Sequence, residues 1–226
     1  AKLFDHYFKD GMLHLVLEFY NENLLQLMQN DQKLSGLKIR NFSYMMLQGI
    51  SHLHSNKIIH RDIKPENIMV KNISSFVNQL QIVDYNLCTP SDKVQHTNNV
   101  STRWYQAPEQ LLQIDYNEKI DIFACGCVIA ELCTGCPLFA GNDELDQLIK
   151  IIEVIGLPKS KYKYFDKLKI IKCENYKQLQ HKQIVENLEV VLGAGQLLCD
   201  LLAKMLSFDS LERPSAMQCL QFAYFK

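Results

Sequence analysis

The 226-residue chain has little of what marks several common classes of protein. No apolar run reaches the length that a transmembrane helix requires, and no segment resembles a secretory signal peptide. The 24 Lys and Arg residues are balanced by 25 Asp and Glu residues, which gives a net charge of −1. A nucleic-acid-binding protein usually carries a clustered basic surface. We therefore expect neither a membrane nor a nucleic acid among the partners of this chain.

The composition is that of a globular protein with an ordinary core. Hydrophobic residues make up 47% of the chain and charged residues 22%, which is typical of globular domains. Repeats, low-complexity tracts and interdomain linkers are absent from the sequence, so one mostly helical domain is expected. The chain starts at Ala1 rather than Met, in a segment that already has a strand pattern. We interpret it as a fragment of a longer, cytoplasmic protein.

The eight cysteines could serve disulfides, a metal ion or redox chemistry. A disulfide framework is expected in short secreted chains, and this chain is long. Cys133 and Cys136 form a lone C-x-x-C pair, whereas a zinc site needs a second pair or suitably spaced histidines. We interpret the cysteines as reduced core residues. They are Cys88, Cys125, Cys127, Cys133, Cys136, Cys173, Cys199 and Cys219.

Hydrophobic periodicity locates the main helices. Apolar residues at spacings of three and four predict an amphipathic helix from about residue 36 to residue 55. The segment 118–132 is apolar on nearly every side, which predicts a helix buried at the centre of the domain. Residues 143–155 have a second amphipathic pattern, and either Asn142 or Asp143 could cap that helix.

Shorter patterns fill the rest of the chain. Residues 12–18 predict a buried strand, and the apolar runs 68–70 and 80–83 predict a hairpin. Residues 84–109 are polar and irregular, and loops of that length in compact domains usually carry function. Further helices are predicted at 24–29, 196–206 and 216–222, with a surface excursion at 157–185.

The octet His60-Arg61-Asp62-Ile63-Lys64-Pro65-Glu66-Asn67 lies between the long helix and the hairpin. Loops held by rigid neighbours often carry catalytic groups. Asp62 can orient a hydroxyl group and accept its proton, and Lys64 can neutralise a phosphate. Asn67 can hold a metal ion through its side-chain oxygen. Each residue alone is usually a solvated loop residue, but the complete octet is a specific signal.

This octet resembles the catalytic loop of eukaryotic protein kinases, H-R-D-x-x-x-x-N. Two further motifs follow in the order that this family has. Asp84-Tyr85-Asn86 resembles the D-F-G motif, whose aspartate binds Mg²⁺, although Tyr and Asn replace Phe and Gly. We expect Asn86 to keep the turn, because asparagine tolerates a positive φ. Ala107-Pro108-Glu109 resembles the A-P-E motif.

The resemblance implies an α+β, mainly α fold class: a kinase C-terminal lobe with only the last N-lobe strand or strands and the hinge. Residues 1–20 would be the end of the N-lobe and the hinge. Residues 21–226 would be the C-lobe, with the catalytic loop at 60–67 and the activation segment at 84–109. No Gly-rich loop, strand lysine or helix glutamate precedes Leu15, and in kinases these parts cover the nucleotide phosphates.

The resemblance also implies transfer of the γ-phosphate of ATP to serine or threonine of a protein substrate, with Mg²⁺ as cofactor. Asp62 would orient the hydroxyl group, and Lys64 would stabilise the transferring phosphate. Asn67 and Asp84 would hold Mg²⁺. Thr102 would contact Asp62 and Lys64, and Lys64 itself favours serine and threonine over tyrosine as acceptors.

Structural roles for three residues are carried over in the same way. Asp121 would receive backbone N–H groups of the catalytic loop, although a helix N-terminal acid favoured by the helix dipole explains it equally well. Glu109 would pair with Arg213 near the end of the chain, since a buried glutamate needs a cation.

The hinge and the adenine pocket would lie near the start of the chain. Glu18 and Tyr20 would bind adenine through main-chain groups, and Leu17 would occupy the gatekeeper position. Met69 would form the floor of the adenine site. An ordinary apolar strand is the commoner explanation for each of these residues alone.

The segment from Pro137 to Pro158 resembles the cyclin-dependent and MAP kinase (CMGC) group. Within that group, the MAK/MOK (RCK) kinases look most similar at residues 38–41, 48–49 and 101–105. That subfamily is associated with cilia, so the cilium, the cytoskeleton or the nucleus is an alternative location. Ciliary assembly partners are implied equally.

Two departures concern regulation and specificity. Relatives carry Thr-x-Tyr in the activation loop, and here the run is Thr97-Asn98-Asn99. Arg61 could pair with a phosphate on Thr97. Gln106 stands where relatives have the arginine that helps to select proline after the target residue, so a proline-directed specificity stays open. A catalytically inactive pseudokinase that acts as a scaffold or assembly component is the alternative to an enzyme.

Overall fold

The computed structural model describes residues 2–30, 34–74, 77–92, 102–158, 163, 166, 168 and 181–226. Its strands are β1 Leu3–Lys9, β2 Met12–Leu17, β3 Glu22–Asn23, β4 Ile58–Ile59, β5 Ile68–Ser74, β6 Val77–Ile82 and β7 Thr89–Pro90. Its helices are α1 Leu24–Asn30, α2 Gly36–Ser55, α3 Pro108–Leu111, α4 Lys119–Thr134, α5 Glu144–Ile155, α6 His181–Leu192, α7 Gln196–Met205 and α8 Ala216–Cys219. Short 3₁₀ turns cover Pro65–Asn67, Arg103–Tyr105, Ser210–Glu212 and Ala223–Phe225.

The strands form three small antiparallel sheets. Strands β1 and β2 pair with each other, and the turn between them uses Asp10 and Gly11 at positive φ, as two-residue hairpin loops require. Strands β3, β5 and β6 form a three-stranded sheet, which contains the predicted hairpin as β5 and β6. Strands β4 and β7 pair beside the catalytic loop. The sheets therefore sit at the start of the chain and around the predicted site.

The N-terminal hairpin corrects the prediction of a buried strand at 12–18. The strand forms, as β2, but Leu13 and Leu15 are 52% and 53% exposed. Its partner β1, which the sequence analysis did not assign, is exposed along its whole length. The reason is that no second layer of described residues packs over the hairpin, so its apolar side chains remain at the surface.

Helix α4 lies at the centre of the core, as its all-round apolar pattern predicted. Residues 120–132 are all buried. Gly126 permits close packing against α7, because a Cβ at this position would stand 2.9 Å from Leu206 Cδ2. The helix ends at Gly135, whose φ of +75° is the left-handed conformation common after helix C-termini. A rigid central helix therefore stands behind the catalytic loop.

Most helix predictions are confirmed. Helix α2 covers Gly36–Ser55 with Ser35 as its N-cap, and Asp143 caps α5 by accepting a hydrogen bond from the Asp146 N–H. The last helix is shorter than predicted, since α8 ends at Cys219. Helix α6 was missed, because its polar first turn continues the Lys- and Tyr-rich surface excursion and hides the start of the periodic pattern. Much of the predicted excursion at 157–185 lies outside the described residues.

Candidate active site

The catalytic loop is anchored by one buried carboxylate. Asp121, in the first turn of α4, is fully buried and accepts the backbone N–H groups of His60 at 2.8 Å and Arg61 at 2.9 Å. His54, in the last turn of α2, meets the same carboxylate at 2.9 Å. Arg61 has a φ of +69°, an uncommon conformation for a non-glycine residue. These bonds hold the strained turn in place, and the predicted contact of Asp121 with the loop is present.

His60 connects the catalytic loop to the segment that follows β6. The Asp62 N–H donates to His60 Nδ1 at 3.3 Å, so this nitrogen must be unprotonated. The other ring nitrogen, Nε2, then carries the proton and donates it to the Val83 carbonyl at 3.1 Å. The ring also meets the Tyr85 ring edge-on, with centroids 5.5 Å apart. His60 is fully buried, and its contacts join the two motifs.

Asp62, Lys64 and Asn67 converge as the sequence predicted. Lys64 Nζ and Asn67 Nδ2 each donate to Asp62 Oδ2 at 2.8 Å. Asn67 Nδ2 also donates to the Asp62 carbonyl oxygen at 2.8 Å. No hydrogen bond from the described part of the chain reaches Asp62 Oδ1. The carboxylate is therefore held on one side and left able to accept a hydrogen bond on the other.

The same contacts fix the orientation of the Asn67 amide. Its nitrogen faces Asp62, so its oxygen points away and accepts no hydrogen bond from the described residues. The Val83 N–H donates to the Asn67 carbonyl at 2.9 Å. Asp84 therefore directly follows the residue that is hydrogen-bonded to Asn67 across the hairpin. Asp84 is exposed. An amide oxygen and an exposed carboxylate on neighbouring segments are the oxygen ligands that Mg²⁺ prefers.

The turn after β6 differs from the prediction in one residue. Asp84, and not Asn86, adopts the left-handed conformation, with a φ of +64°. The Asn86 N–H lies 3.4 Å from Asp84 Oδ1, a local contact of the kind that stabilises aspartate at positive φ. Tyr85 donates its hydroxyl to the Ile82 carbonyl at 2.8 Å, and burial raises its pKa. The turn therefore does not depend on a residue with special backbone freedom at position 86.

The predicted activation-segment residues are only partly brought together. Thr102 directly precedes the 3₁₀ turn Arg103–Tyr105, and among the described residues it makes no hydrogen bond to Asp62 or Lys64. Arg61 donates through Nε to the Leu87 carbonyl and through Nη1 to the Tyr116 hydroxyl. Thr97 lies outside the described residues. The predicted pairing of Arg61 with a phosphate on Thr97 stays a prediction.

The predicted hinge residues have free main-chain groups beside a side-chain cluster. The Glu18 N–H donates to the Lys2 carbonyl at 2.9 Å. No described residue bonds the Glu18 carbonyl or the Tyr20 N–H, the groups that could meet a base. The Glu18 carboxylate pairs with Lys71 and accepts from the Tyr20 hydroxyl; the Lys71 hydrogen bond lowers the pKa of Glu18. Met69 lies in β5, opposite Asn23, and is half-buried.

Glu109 and Arg213 form the predicted ion pair across 104 residues of sequence. Arg213 Nη1 and Nη2 donate to the two Glu109 oxygens at 2.6 and 2.7 Å. Arg213 also donates to the carbonyls of Ser207, Lys119 and Phe208. Both residues are 2% exposed. Because every buried charge has hydrogen-bond partners, the pair fixes the end of the activation segment to the C-terminal helices.

A second carboxylate cluster, which sequence analysis missed, lies behind the catalytic loop. Tyr105 donates its hydroxyl to Glu131 Oε2 at 2.7 Å, and Glu131 is 2% exposed. Burial raises the pKa of Glu131 to about 7, while the Tyr105 hydrogen bond opposes the rise and nearby Glu66 adds to it. Glu66 Oε2 is buried without a hydrogen-bond partner among the described residues. The only signal in the sequence was one acidic residue inside the apolar helix α4.

Comparison with known proteins agrees with this geometry. A protein kinase domain model matches residues 1–225. A probable serine/threonine-protein kinase of Dictyostelium discoideum is 36% identical over 100% of this chain and 44% of that protein. The serine/threonine-protein kinase MAK of Mus musculus is 37% identical over 95% of this chain and 34% of that protein. Mitogen-activated protein kinase 12 of Homo sapiens is 36% identical over 94% of this chain and 56% of that protein.

The match corrects the predicted fold class. A C-terminal lobe with only the last N-lobe strand or strands is wrong, because the domain match begins at residue 1 and takes in both strands of the N-terminal hairpin. The fold is a mainly α, α+β domain in which strands precede the helices. The division at residue 20 stays a prediction. The chain spans about a third to a half of the length of the curated relatives it matches. Among the described residues, no helix is long and apolar enough to cross a membrane.

Proposed function

The chain belongs to the protein kinase family, and on that premise we propose that it transfers the γ-phosphate of ATP to serine or threonine hydroxyls of a protein substrate. The observation that carries the proposal is the convergence of Lys64 and Asn67 on Asp62 Oδ2, at 2.8 Å each. This arrangement leaves Asp62 Oδ1 without a hydrogen-bond donor among the described residues. The family uses ATP and Mg²⁺ in general, and its acceptors are proteins.

Asp62 acts on the acceptor hydroxyl in this mechanism. Its free oxygen accepts the hydroxyl hydrogen bond and orients the nucleophile, and it takes the proton as transfer proceeds. Lys64 is tied to the other oxygen of the same carboxylate, so its ammonium lies beside the attacking group and can neutralise charge on the transferring phosphate. Thr102 is proposed to support Asp62 and Lys64 when a substrate is bound. Most of the rate gain comes from positioning.

Asn67 and Asp84 are the proposed ligands of Mg²⁺. The amide oxygen of Asn67 is directed away from Asp62 by the two bonds that its nitrogen makes, and the Asp84 carboxylate is exposed. Two protein ligands are enough, because Mg²⁺ in such sites completes its shell with water and substrate phosphates. When bound, the ion neutralises the phosphate charge. Adenine is proposed to meet the Glu18 carbonyl and the Tyr20 N–H, with Met69 below it.

Regulation and location follow from the resemblance alone. We propose that a phosphate on Thr97 binds Arg61, which would tie the activation segment to the catalytic loop. Similarity to a MAK kinase favours the cytoplasm with access to the cilium, the cytoskeleton or the nucleus, and substrates or assembly partners there.

The test is transfer of labelled phosphate from Mg·ATP to a mixed serine and threonine peptide pool by the purified protein that carries this chain. Asp62→Asn should lower kcat by about 10²–10⁴-fold, the usual share of general-base catalysis, with little change in thermal stability. Asp200→Asn, on α7, removes an acid outside the site and should keep full activity. Phosphorylation of threonine at the wild-type rate by Asp62→Asn would refute the assigned mechanism. If neither the folded wild type nor the folded Asp200→Asn variant transfers phosphate, the result would favour the scaffold alternative.

A further inference from the structure

A cavity of about 660 Å³ opens at the end of the helical core remote from the catalytic loop. Its wall includes the first turns of α2, the last turn of α4 and the turn between α6 and α7. The catalytic loop instead follows the last residue of α2, and a helix of that length spans about 30 Å. The cavity is thus separate from the Asp62 site. Its volume falls in the range of about 300–1,000 Å³ typical of small-molecule sites.

The wall of the cavity is mainly apolar. Leu34, Ile39, Leu192 and Leu198 are buried residues that face it, and Ala194 adds a small side chain. Three glycines belong to the same wall and contribute no side chain to the cavity. A Cβ added to any of them would meet no atom within 4 Å, so the space beside them is open. They are Gly36, Gly193 and Gly195. An apolar concave surface of this size favours a ligand with a hydrocarbon body.

Two polar side chains in the wall have no hydrogen-bond partner within the described part of the chain. Arg40 lies one turn after Gly36 on the same face of α2 and is half-buried. Among the described residues it makes no hydrogen bond and no ion pair. Tyr224 is also half-buried, and its hydroxyl bonds to no described residue. Burial raises the pKa of Tyr224 to about 12, so the hydroxyl stays a donor at neutral pH. Arg40 can only donate hydrogen bonds, and the neutral Tyr224 hydroxyl can donate one as well, so the two groups together favour an acceptor that carries a negative charge.

We propose that this cavity binds a single-chain amphiphile whose hydrocarbon chain fills the apolar space and whose carboxylate meets Arg40 and the Tyr224 hydroxyl. The choice of a carboxylate follows from the Arg40 guanidinium, which is planar, permanently charged and suited to bidentate pairing with carboxylates. A purely apolar ligand would leave that cation partly desolvated without a partner, which is unfavourable. A nucleotide fits poorly, because the wall offers one cation and few other polar groups.

The ligand would sit between the ends of α2 and α4. The opposite ends of these two helices meet through His54 and Asp121 at 2.9 Å, directly under the catalytic loop. The site is therefore part of the same rigid core as the catalytic residues but does not overlap them. Binding at the cavity is expected whether or not the chain transfers phosphate, so the two proposals fail independently.

The experiment measures calorimetric binding of laurate, below its micelle concentration, to the full chain, with dodecanol as an uncharged probe of equal length. Laurate should bind at one site and at least about tenfold more tightly than dodecanol, the share of one charge-assisted bond. Arg40→Gln should weaken laurate by about tenfold and leave dodecanol unchanged. Lys204→Gln, which removes an exposed cation on α7, is the matched control and should change neither affinity.

A second variant tests the location. Gly195 precedes α7 with φ −76° and ψ 158°, a conformation open to any side chain, so Gly195→Phe should fold and fill the cavity. Circular dichroism would check the fold, and both probes should lose at least about tenfold in affinity. Equal binding of laurate and dodecanol by the wild type would overturn the carboxylate assignment. No saturable binding, or binding that Gly195→Phe leaves intact, would overturn the site itself.

Discussion

Glu131 should make the fold less stable as pH rises through neutrality. Its carboxyl group has an ordinary pKa of 4.5, and burial in α4 raises the folded-state pKa to about 7. Between these two values the folded protein binds more protons than the unfolded chain, so the free energy of unfolding falls as pH increases. Well below pH 4.5 and well above pH 7, Glu131 makes no further change to the free energy of unfolding. Native stability is thus partly lost by ionising a buried acid.

The size of the effect follows from the two pKa values. Each tenfold change in proton affinity is worth about 1.4 kcal/mol, so the full span corresponds to about 3 kcal/mol, of which about 2.5 kcal/mol falls between pH 5 and pH 8. Glu131→Gln keeps the shape of the side chain and an oxygen that can accept the Tyr105 hydroxyl. It cannot ionise. The variant should therefore gain about 2.5 kcal/mol over the wild type between these pH values.

The assay is urea unfolding at half-unit pH steps, followed by circular dichroism and by the fluorescence of Trp104, the neighbour of Tyr105. Subtracting the unfolding free energy of the wild type from that of the variant removes the contributions of all other titrating groups. Glu153→Gln, on the exposed side of α5, controls for the loss of one negative charge. A second probe is Tyr105→Phe: its lost hydrogen bond favoured the ionised form, so the midpoint of the Glu131 transition should move above pH 7. A Glu131→Gln difference that stays flat from pH 5 to pH 8 would refute the reasoning.

Two further variants test the supports of the site. Glu109→Gln leaves Arg213 buried without its counter-charge and should cost about 3–5 kcal/mol of unfolding free energy. Replacing Arg213 with methionine in the same variant should recover part of that loss. A loss below about 1 kcal/mol for Glu109→Gln, measured by urea titration, would contradict the account of a buried ion pair. Asp121→Asn exchanges a charged acceptor of three hydrogen bonds for a neutral one and should cost about 1.5–3 kcal/mol. It should also lower the rate of phosphate transfer more than it changes the KM for ATP, and the reverse pattern in steady-state kinetics would argue against a positioning role.

The elements that sequence predicted well are those with a local signal. Helix α2 combines a Ser35 cap with an unbroken apolar period, and both ends match the prediction. Helix α4 was recognised as central because it is apolar on every side. The Glu109–Arg213 pair was found from the two motifs that contain it, although 104 residues separate them. Each helix was therefore predicted from one segment of sequence, whereas the ion pair was predicted from two recognisable motifs.

The features that the sequence did not predict depend on contacts with other segments of the chain. The apolar pattern of residues 12–18 predicts strand β2, but it cannot tell whether a second layer covers the strand, and here none of the described residues does. The positive φ at Asp84 comes directly after Val83, whose hydrogen bond to Asn67 only the folded hairpin creates. Glu131 is a further case, since its raised pKa comes from burial and from Glu66, 65 residues away in sequence.

The catalytic loop shows why a short motif needs a distant residue to work. A turn with Arg61 at positive φ is unfavourable on its own, and backbone strain of this kind costs about 1–3 kcal/mol. Asp121 offsets it with bonds to two consecutive N–H groups, and its own burial is tolerated because His54 and the N-terminus of α4 also face the charge. The position of Asp62 is therefore set by α4, so that changes in the buried helix should alter catalysis without touching any residue of the octet.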